Sequence, residues 1–152
     1  MAVILILVVI FTGSLIALQG VVNAYLGQGI GNPLHAGIIS FGVGFIFLCI
    51  LAVIQREPIS FDQLIHVPKI AFIGGLLGAV YVVSAIFIVP KIGIASTVIA
   101  ALFGQMVLSV TLDHFGFLNL EVDRISFRKC VGIALVLLGV TLVNLDKLKS
   151  SF

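Results

Sequence analysis

Five stretches of this chain are each long and apolar enough to cross a bilayer. They cover about residues 2–26, 34–55, 69–89, 93–113 and 127–146. A span needs ~20 mostly apolar residues, because a helix rises only ~1.5 Å per residue through ~30 Å of hydrocarbon. Lipid offers no partner to a backbone amide, so each run is predicted to close its own hydrogen bonds as a helix. The expected fold is all-α: a single domain over residues 1–152 built as a multi-pass membrane bundle of five transmembrane helices. Composition points the same way. The chain is 61% hydrophobic and only 9% charged, against ~25% charged in soluble domains, and its mean hydropathy is +1.35. It has no Trp, so an interfacial aromatic belt must come from 2 Tyr and 12 Phe. A net charge of +2 is too small to argue for a nucleic-acid partner. Cys49 and Cys130 have no paired spacing and read as small core residues.

The punctuation fits these runs. "GQGIGNP" (27–33) and "PKIG" (90–93) predict tight turns. "REPISFDQLIHVP" (56–68) lies between Pro58 and Pro68, with Ser60 and Gln63 at capping-box spacing. Phe61, Leu64 and Ile65 would then face lipid from a short interfacial helix. "HFGFLNLEVDRIS" (114–126) is the longest polar connection. The first run lacks a basic n-region and reads as a span rather than a cleaved leader, although "VNA" (22–24) is a passable cleavage site.

An odd number of spans puts the two ends of the chain on opposite sides. Arg56, Lys69, Arg124, Arg128 and Lys129 fall on the N-terminal side, and Lys91, Lys147 and Lys149 on the other. The positive-inside rule places the N-terminus in the cytoplasm, with a bias small enough to allow both orientations.

Polar residues break the apolar pattern at a few places. In "GSLIALQGVVNAYLGQ" (13–28), Gln19 and Asn23 are one turn apart and share a face with Thr12. Gly13, Gly20 and Gly27 run alongside at seven-residue spacing. The second span offers Gly37, Ser40 and Gly44. In the third, Gly74, Gly78, Tyr81 and Ala85 lie on one face with Ser84 at its edge. The fourth carries Thr97, Ala101, Gln105 and Ser109 at four-residue intervals beside Gly104, and the fifth has Gly132 and Gly139. Tyr81 and Gln105 each sit ~18 Å into their helices, near the midplane. Small residues let helices approach, and amides bond across such contacts. Gly13, Gly20, Gly74, Gly78, Gly132 and Gly139 are therefore packing or dimer-contact candidates. Gln19, Asn23, Tyr81, Gln105 and Ser109 suit a second role. Large amides and a phenol take up volume that packing does not need, and a polar cavity between helices is where transporters bind solutes.

What is missing narrows the chemistry. No Asp or Glu lies between Met1 and Arg56, or between Gln63 and Leu112. Exchange driven by a buried carboxylate is disfavoured, and so is a strongly cationic substrate. Lys91 either snorkels at a helix C-terminus or draws anions to a pathway mouth. Asp113 and His114 either end the fourth helix or form a protonatable gate. His35, His66 and His114 belong to different ends of the bundle, so no metal site is expected. No HExxH, CxxC, GxSxG or Walker A pattern occurs. Neither a cofactor nor an enzymatic activity is expected.

"QGVVNAYLGQGIGNPLHAGIISFGVG" (19–44), "VPKIGIAS" (89–96) and "GQMVLSVTLDHFG" (104–116) resemble the YdcZ-type family of the drug/metabolite transporter superfamily. The five-span layout matches too, and the resemblance covers nearly the whole chain. It implies a bacterial inner-membrane protein that is half a transporter, completed by a second copy or a paralogous half-transporter in the opposite orientation. That fits a chain without an internal repeat and with a weak charge bias. The expected function is transport of a small-molecule solute by alternating access between antiparallel halves. The competing expectation is a non-transporting subunit that stabilises or regulates a partner.

Overall fold

A computed structural model describes residues 2–56 and 60–149. Among the described residues the chain is helical, with no strand. The helices are α1 (Ala2–Ile30), α2 (Pro33–Gln55), the short α3 (Phe61–His66), α4 (Gly74–Ile92), α5 (Ile94–Phe115) and α6 (Phe127–Lys149). A 3₁₀ segment, Lys69–Ile73, leads into α4, and another, Phe117–Asn119, follows α5. Five segments are long and apolar enough to cross a membrane: Val3–Ile30, Pro33–Gln55, Lys69–Ile92, Ile94–Phe115 and Phe127–Asp146. The five expected spans are all present. Pro58 of the bracketed connection lies outside the described residues, as do the side chains of Phe61, Lys147 and Lys149.

The connections are tighter than the sequence suggests. α1 continues four residues beyond its expected end. Its last turn is closed by Gly31 N–H donating to Gly27 O at 2.9 Å. Asn32 then caps α2: its Oδ1 accepts from Leu34 N–H at 2.9 Å and His35 N–H at 3.3 Å. Pro33 follows at the first helical position, where its missing N–H costs nothing. "PKIG" is not a four-residue turn. Pro90 and Lys91 stay in the last turns of α4, and the chain breaks only at Gly93, with φ 81° and ψ 160°. That conformation is essentially closed to residues with a Cβ. Ser60 begins α3 as expected but makes no side-chain cap bond, so the capping box does not form. On α3, Leu64 is half-buried and Ile65 exposed.

The chain forms two compact units, Met1–Lys91 and Ile92–Phe152. In the first, α1 and α2 form an antiparallel pair, and α4 lies against both through glycines. Ile86 of α4 sits over Gly27, Val83 over Gly37, and Phe41 of α2 over Gly78. The buried cluster is small: Ala36, Val82 and Ile86, with Leu26 and Tyr81 packed on it. In the second unit α5 pairs with α6, with Met106 against Gly132 and Ile99 against Gly139.

Large apolar side chains point outward along every long helix, including Phe11, Phe45, Leu76, Leu108 and Leu135. An apolar surface this extensive is unstable in water and matches a lipid environment. The same exposure corrects the reading of the cysteines. Cys49 and Cys130 are exposed free thiols rather than core residues. A helix with only a narrow packed stripe sends most of its residues to the outer surface, and a thiol is tolerated there.

Candidate functional site

In the first unit the polar face of α1 divides. Asn23 is only 6% exposed, beside the Gly27 position that lets Ile86 approach. Among the described residues its amide makes no hydrogen bond, yet no fully enclosed side-chain polar atom is left without a partner. The sliver of surface that Asn23 retains therefore includes its amide. Tyr81, on α4, is half-buried against Ala36, Val82 and Ile86. Gln19, one turn before Asn23, is exposed. It lines a groove of about 340 Å³ with Ser40, Phe41, Gly44, Phe45 and Leu48 of α2. Gly44 leaves that groove open, since a Cβ there would meet nothing within 4 Å. Amide, hydroxyl and two phenyl rings on one open wall suit a solute with both polar and apolar parts.

Phe41 and Phe45 carried no signal in the sequence, because phenylalanine in an apolar span is unremarked. Ser40 and Gly44 did carry one, lying one turn apart and so on the same face.

In the second unit Gln105 is exposed, and its amide makes no hydrogen bond among the described residues. Ser109 is different: its hydroxyl donates to Met106 O at 3.1 Å on its own helix. The same self-satisfaction recurs at Thr12, bonded to Val8 O at 3.0 Å and Val9 O at 3.1 Å. It recurs again at Thr97, bonded to Gly93 O at 2.8 Å. A hydroxyl returned to the preceding turn needs no cavity to offset its burial. Asn144 of α6, passed over in the sequence, does the same with an amide: its Nδ2 donates to Val140 O at 2.8 Å. Its position inside the last apolar run was the available signal. Among the deep amides, Gln19, Asn23 and Gln105 are thus the ones whose hydrogen-bonding capacity is unspent.

The residues at the helix ends are engaged. Lys91 is exposed, with Nζ 3.4 Å from the centroid of the Phe87 ring one turn earlier, a cation–π contact. Asp113 and His114 are half-buried and tie down the connection to α6. Asp113 O accepts from Asp123 N–H at 3.0 Å. His114 Nδ1 accepts from Ile125 N–H at 3.2 Å, and the ring meets Phe115 edge-on at 5.0 Å. Lys129 Nζ lies 2.8 Å from Asp123 Oδ2 and donates to Asp123 O at 3.0 Å. Gly116 turns the chain with φ 60°, and a Cβ there would sit 2.7 Å from Val122. A cleft of about 540 Å³ is lined by Asp113, Leu120, Glu121, Val122 and Asp123.

The small residues separate into two classes. Gly78, Gly132 and Gly139 meet Phe41, Met106 and Ile99 within their own units, whereas Gly13 and Gly74 have nothing within 4 Å of a built Cβ. Gly20 is half-buried. Among the described residues no group of three His, Cys, Asp or Glu side chains could hold a metal ion.

No curated protein and no solved structure matches the chain. A family model does. Residues 4–142, which take in nearly all of the five apolar spans, match the DMT_YdcZ model, described as "Putative inner membrane exporter, YdcZ", and the chain belongs to that family.

Proposed function

We propose that the protein carries a neutral, zwitterionic or weakly anionic small molecule across the inner membrane, and that it is a carrier rather than an enzyme. The observation behind this reading is the set of unspent amides on apolar helices. An unpaired amide in hydrocarbon costs several kcal/mol, so Gln19, Asn23 and Gln105 need a wet or solute-filled surrounding. The groove that Gln19 shares with Ser40 and Phe41 supports that surrounding. Tyr81 adds a phenol on α4 in the same unit as Gln19 and Asn23, whereas Ser109 spends its hydroxyl on Met106 O. Lys91, Asp113 and His114 lie at helix ends. The lack of a carboxylate deep in the spans, Asp113 and Asp146 lying at span ends, argues against cations as cargo.

Transport in this reading needs two copies, or a copy and a paralogous half, inserted in opposite orientations and rocking between inward- and outward-open states. The weak charge bias supports insertion both ways, with the N-terminus cytoplasmic in the favoured orientation. Gly132 and Gly139 face α5 of their own chain, so the mating surface is better sought at the open glycines, Gly13 and Gly74.

Purified protein in liposomes, offered a panel of metabolites, tests the reading. Uptake of one solute, lost in Gln105→Leu, is the expected result. Normal uptake by that variant removes Gln105 from the path. If no solute moves, and polar-to-apolar changes only weaken assembly, the chain is a stabilising subunit for a partner instead.

A further inference from the structure

The segment between α5 and α6 is held near its far end by a bond to an imidazole nitrogen. Ile125 N–H donates to His114 Nδ1 at 3.2 Å, across eleven residues of sequence. This bond requires a bare ring nitrogen. A neutral imidazole has one, with its proton then on Nε2, whereas an imidazolium has donors on both nitrogens. We propose that His114 is a pH-responsive clip: when neutral it holds Arg124 and Ile125 to the end of α5, and when protonated it releases them.

The neighbouring contacts make the release local. Asp123 N–H is bonded to Asp113 O, and Asp123 is also gripped by Lys129 through both its carboxylate and its carbonyl oxygen. None of these bonds involves the imidazole. Protonation therefore frees Arg124 and Ile125 from the end of α5, while Asp123 stays anchored and Ser126 stays bonded to the first turn of α6, its carbonyl oxygen accepting from Cys130 N–H at 3.1 Å and its hydroxyl oxygen from Lys129 N–H at 3.4 Å. The ionisable groups on the joined segments are Asp113, Glu121, Asp123, Arg124, Arg128 and Lys129, and they carry both signs. Histidine is the side chain whose charge ordinarily changes between about pH 5 and 8. The released segment follows Asp123, the last residue lining the 540 Å³ cleft, and leads into α6. The clip stands whether or not a solute passes through the protein.

Hydrogen–deuterium exchange on the purified full chain in lipid nanodiscs reads the clip, through the peptide spanning residues 120–126, corrected for intrinsic exchange. In the wild type, protection of the Ile125 amide is expected to fall roughly five- to tenfold between pH 8 and pH 5, as for one lost hydrogen bond. His114→Asn keeps an acceptor at the same distance along the side chain but does not titrate, and should stay protected at both pH values. His114→Phe has no acceptor and should be unprotected at both. Unchanged protection in the wild type overturns the proposal, as does an equal fall in His114→Asn. So does wild-type protection at pH 8 in His114→Phe. The wild-type and His114→Asn measurements decide the matter should the Phe variant fail to fold.

Discussion

Gly27 of α1 and Ile86 of α4 approach so closely that a Cβ on Gly27 would lie 2.5 Å from Ile86 Cγ2. Ile86 is 2% exposed and belongs to the small buried cluster of the first unit. Its branched side chain has little room to turn. Gly27→Ala should therefore destabilise the protein by about 1–3 kcal/mol, the usual range for overpacking. Gly42→Ala, in the middle of α2, is the control. Nothing lies within 4 Å of its Cβ position, and replacing a mid-helix glycine favours the helix by about 0.5–1 kcal/mol. Thermal unfolding in detergent should rank the variants Gly42→Ala, wild type, Gly27→Ala in falling stability.

That contact also shows what the sequence could and could not reveal. Run length and hydropathy were enough to place all five spans, because the need to satisfy backbone amides in lipid leaves few alternatives. The ends were harder to place. Gly27 and Gly29 looked like turn residues, but Gly27 is glycine because Ile86 needs the space, and α1 runs on to Ile30. Pro90 looked like a helix stop, yet it sits in the last turn of α4, where it forfeits one bond and does not end the helix. Gln19 and Asn23 were legible as polar residues on one face. That one is enclosed and the other opens on a groove depends on where α2 and α4 lie, and no periodicity carries that. The His114–Ile125 bond was invisible, because it joins residues eleven apart through an irregular segment.

Asn32 Oδ1 accepts the first two amide protons of α2 available to it. Asn32→Ala leaves both without that partner and should cost about 0.5–2 kcal/mol, while Asn32→Ser or Asn32→Asp should restore most of it. Loss and rescue would appear as a paired shift in unfolding midpoint. Equal stability of all three variants would mean that other groups satisfy these amides.

The pair Lys129–Asp123 is short, at 2.8 Å, but Asp123 is 68% exposed. Solvent screening limits an ion pair of this kind to about 0–1 kcal/mol. Asp123→Asn should therefore change stability only slightly, and the change should shrink further at high salt. A loss several times larger would show that the charge matters through more than its partner.

Gly93 joins α4 to α5 at φ 81° and ψ 160°. A side chain there meets its own backbone whatever space surrounds it. Gly93→Ala should cost on the order of 1–3 kcal/mol, whereas Ala at Gly104, which has nothing within 4 Å of its Cβ position, should not destabilise. Because the strain is in the backbone, no second-site change in a neighbouring side chain should relieve it. Stability measured on Gly93→Ala, alone and with selected suppressors, checks this.

The contrast between Thr12 and Gln19 separates polarity committed to its own helix from polarity left uncommitted. Both lie on α1 and both are exposed. The Thr12 hydroxyl is already committed to Val8 O and Val9 O, so Thr12→Val removes no capacity to bind anything else. Gln19 has an uncommitted amide over an open groove. Gln19→Leu should therefore reduce uptake in liposomes at least tenfold, the equivalent of about 1.4 kcal/mol or one good hydrogen bond in the transported complex. Thr12→Val should transport like the wild type. Each variant should unfold within about 0.5 kcal/mol of the parent, as surface changes do, so that a loss of uptake reports on the path and not on the fold. Equal uptake by both variants would move the solute away from the α1–α2 groove.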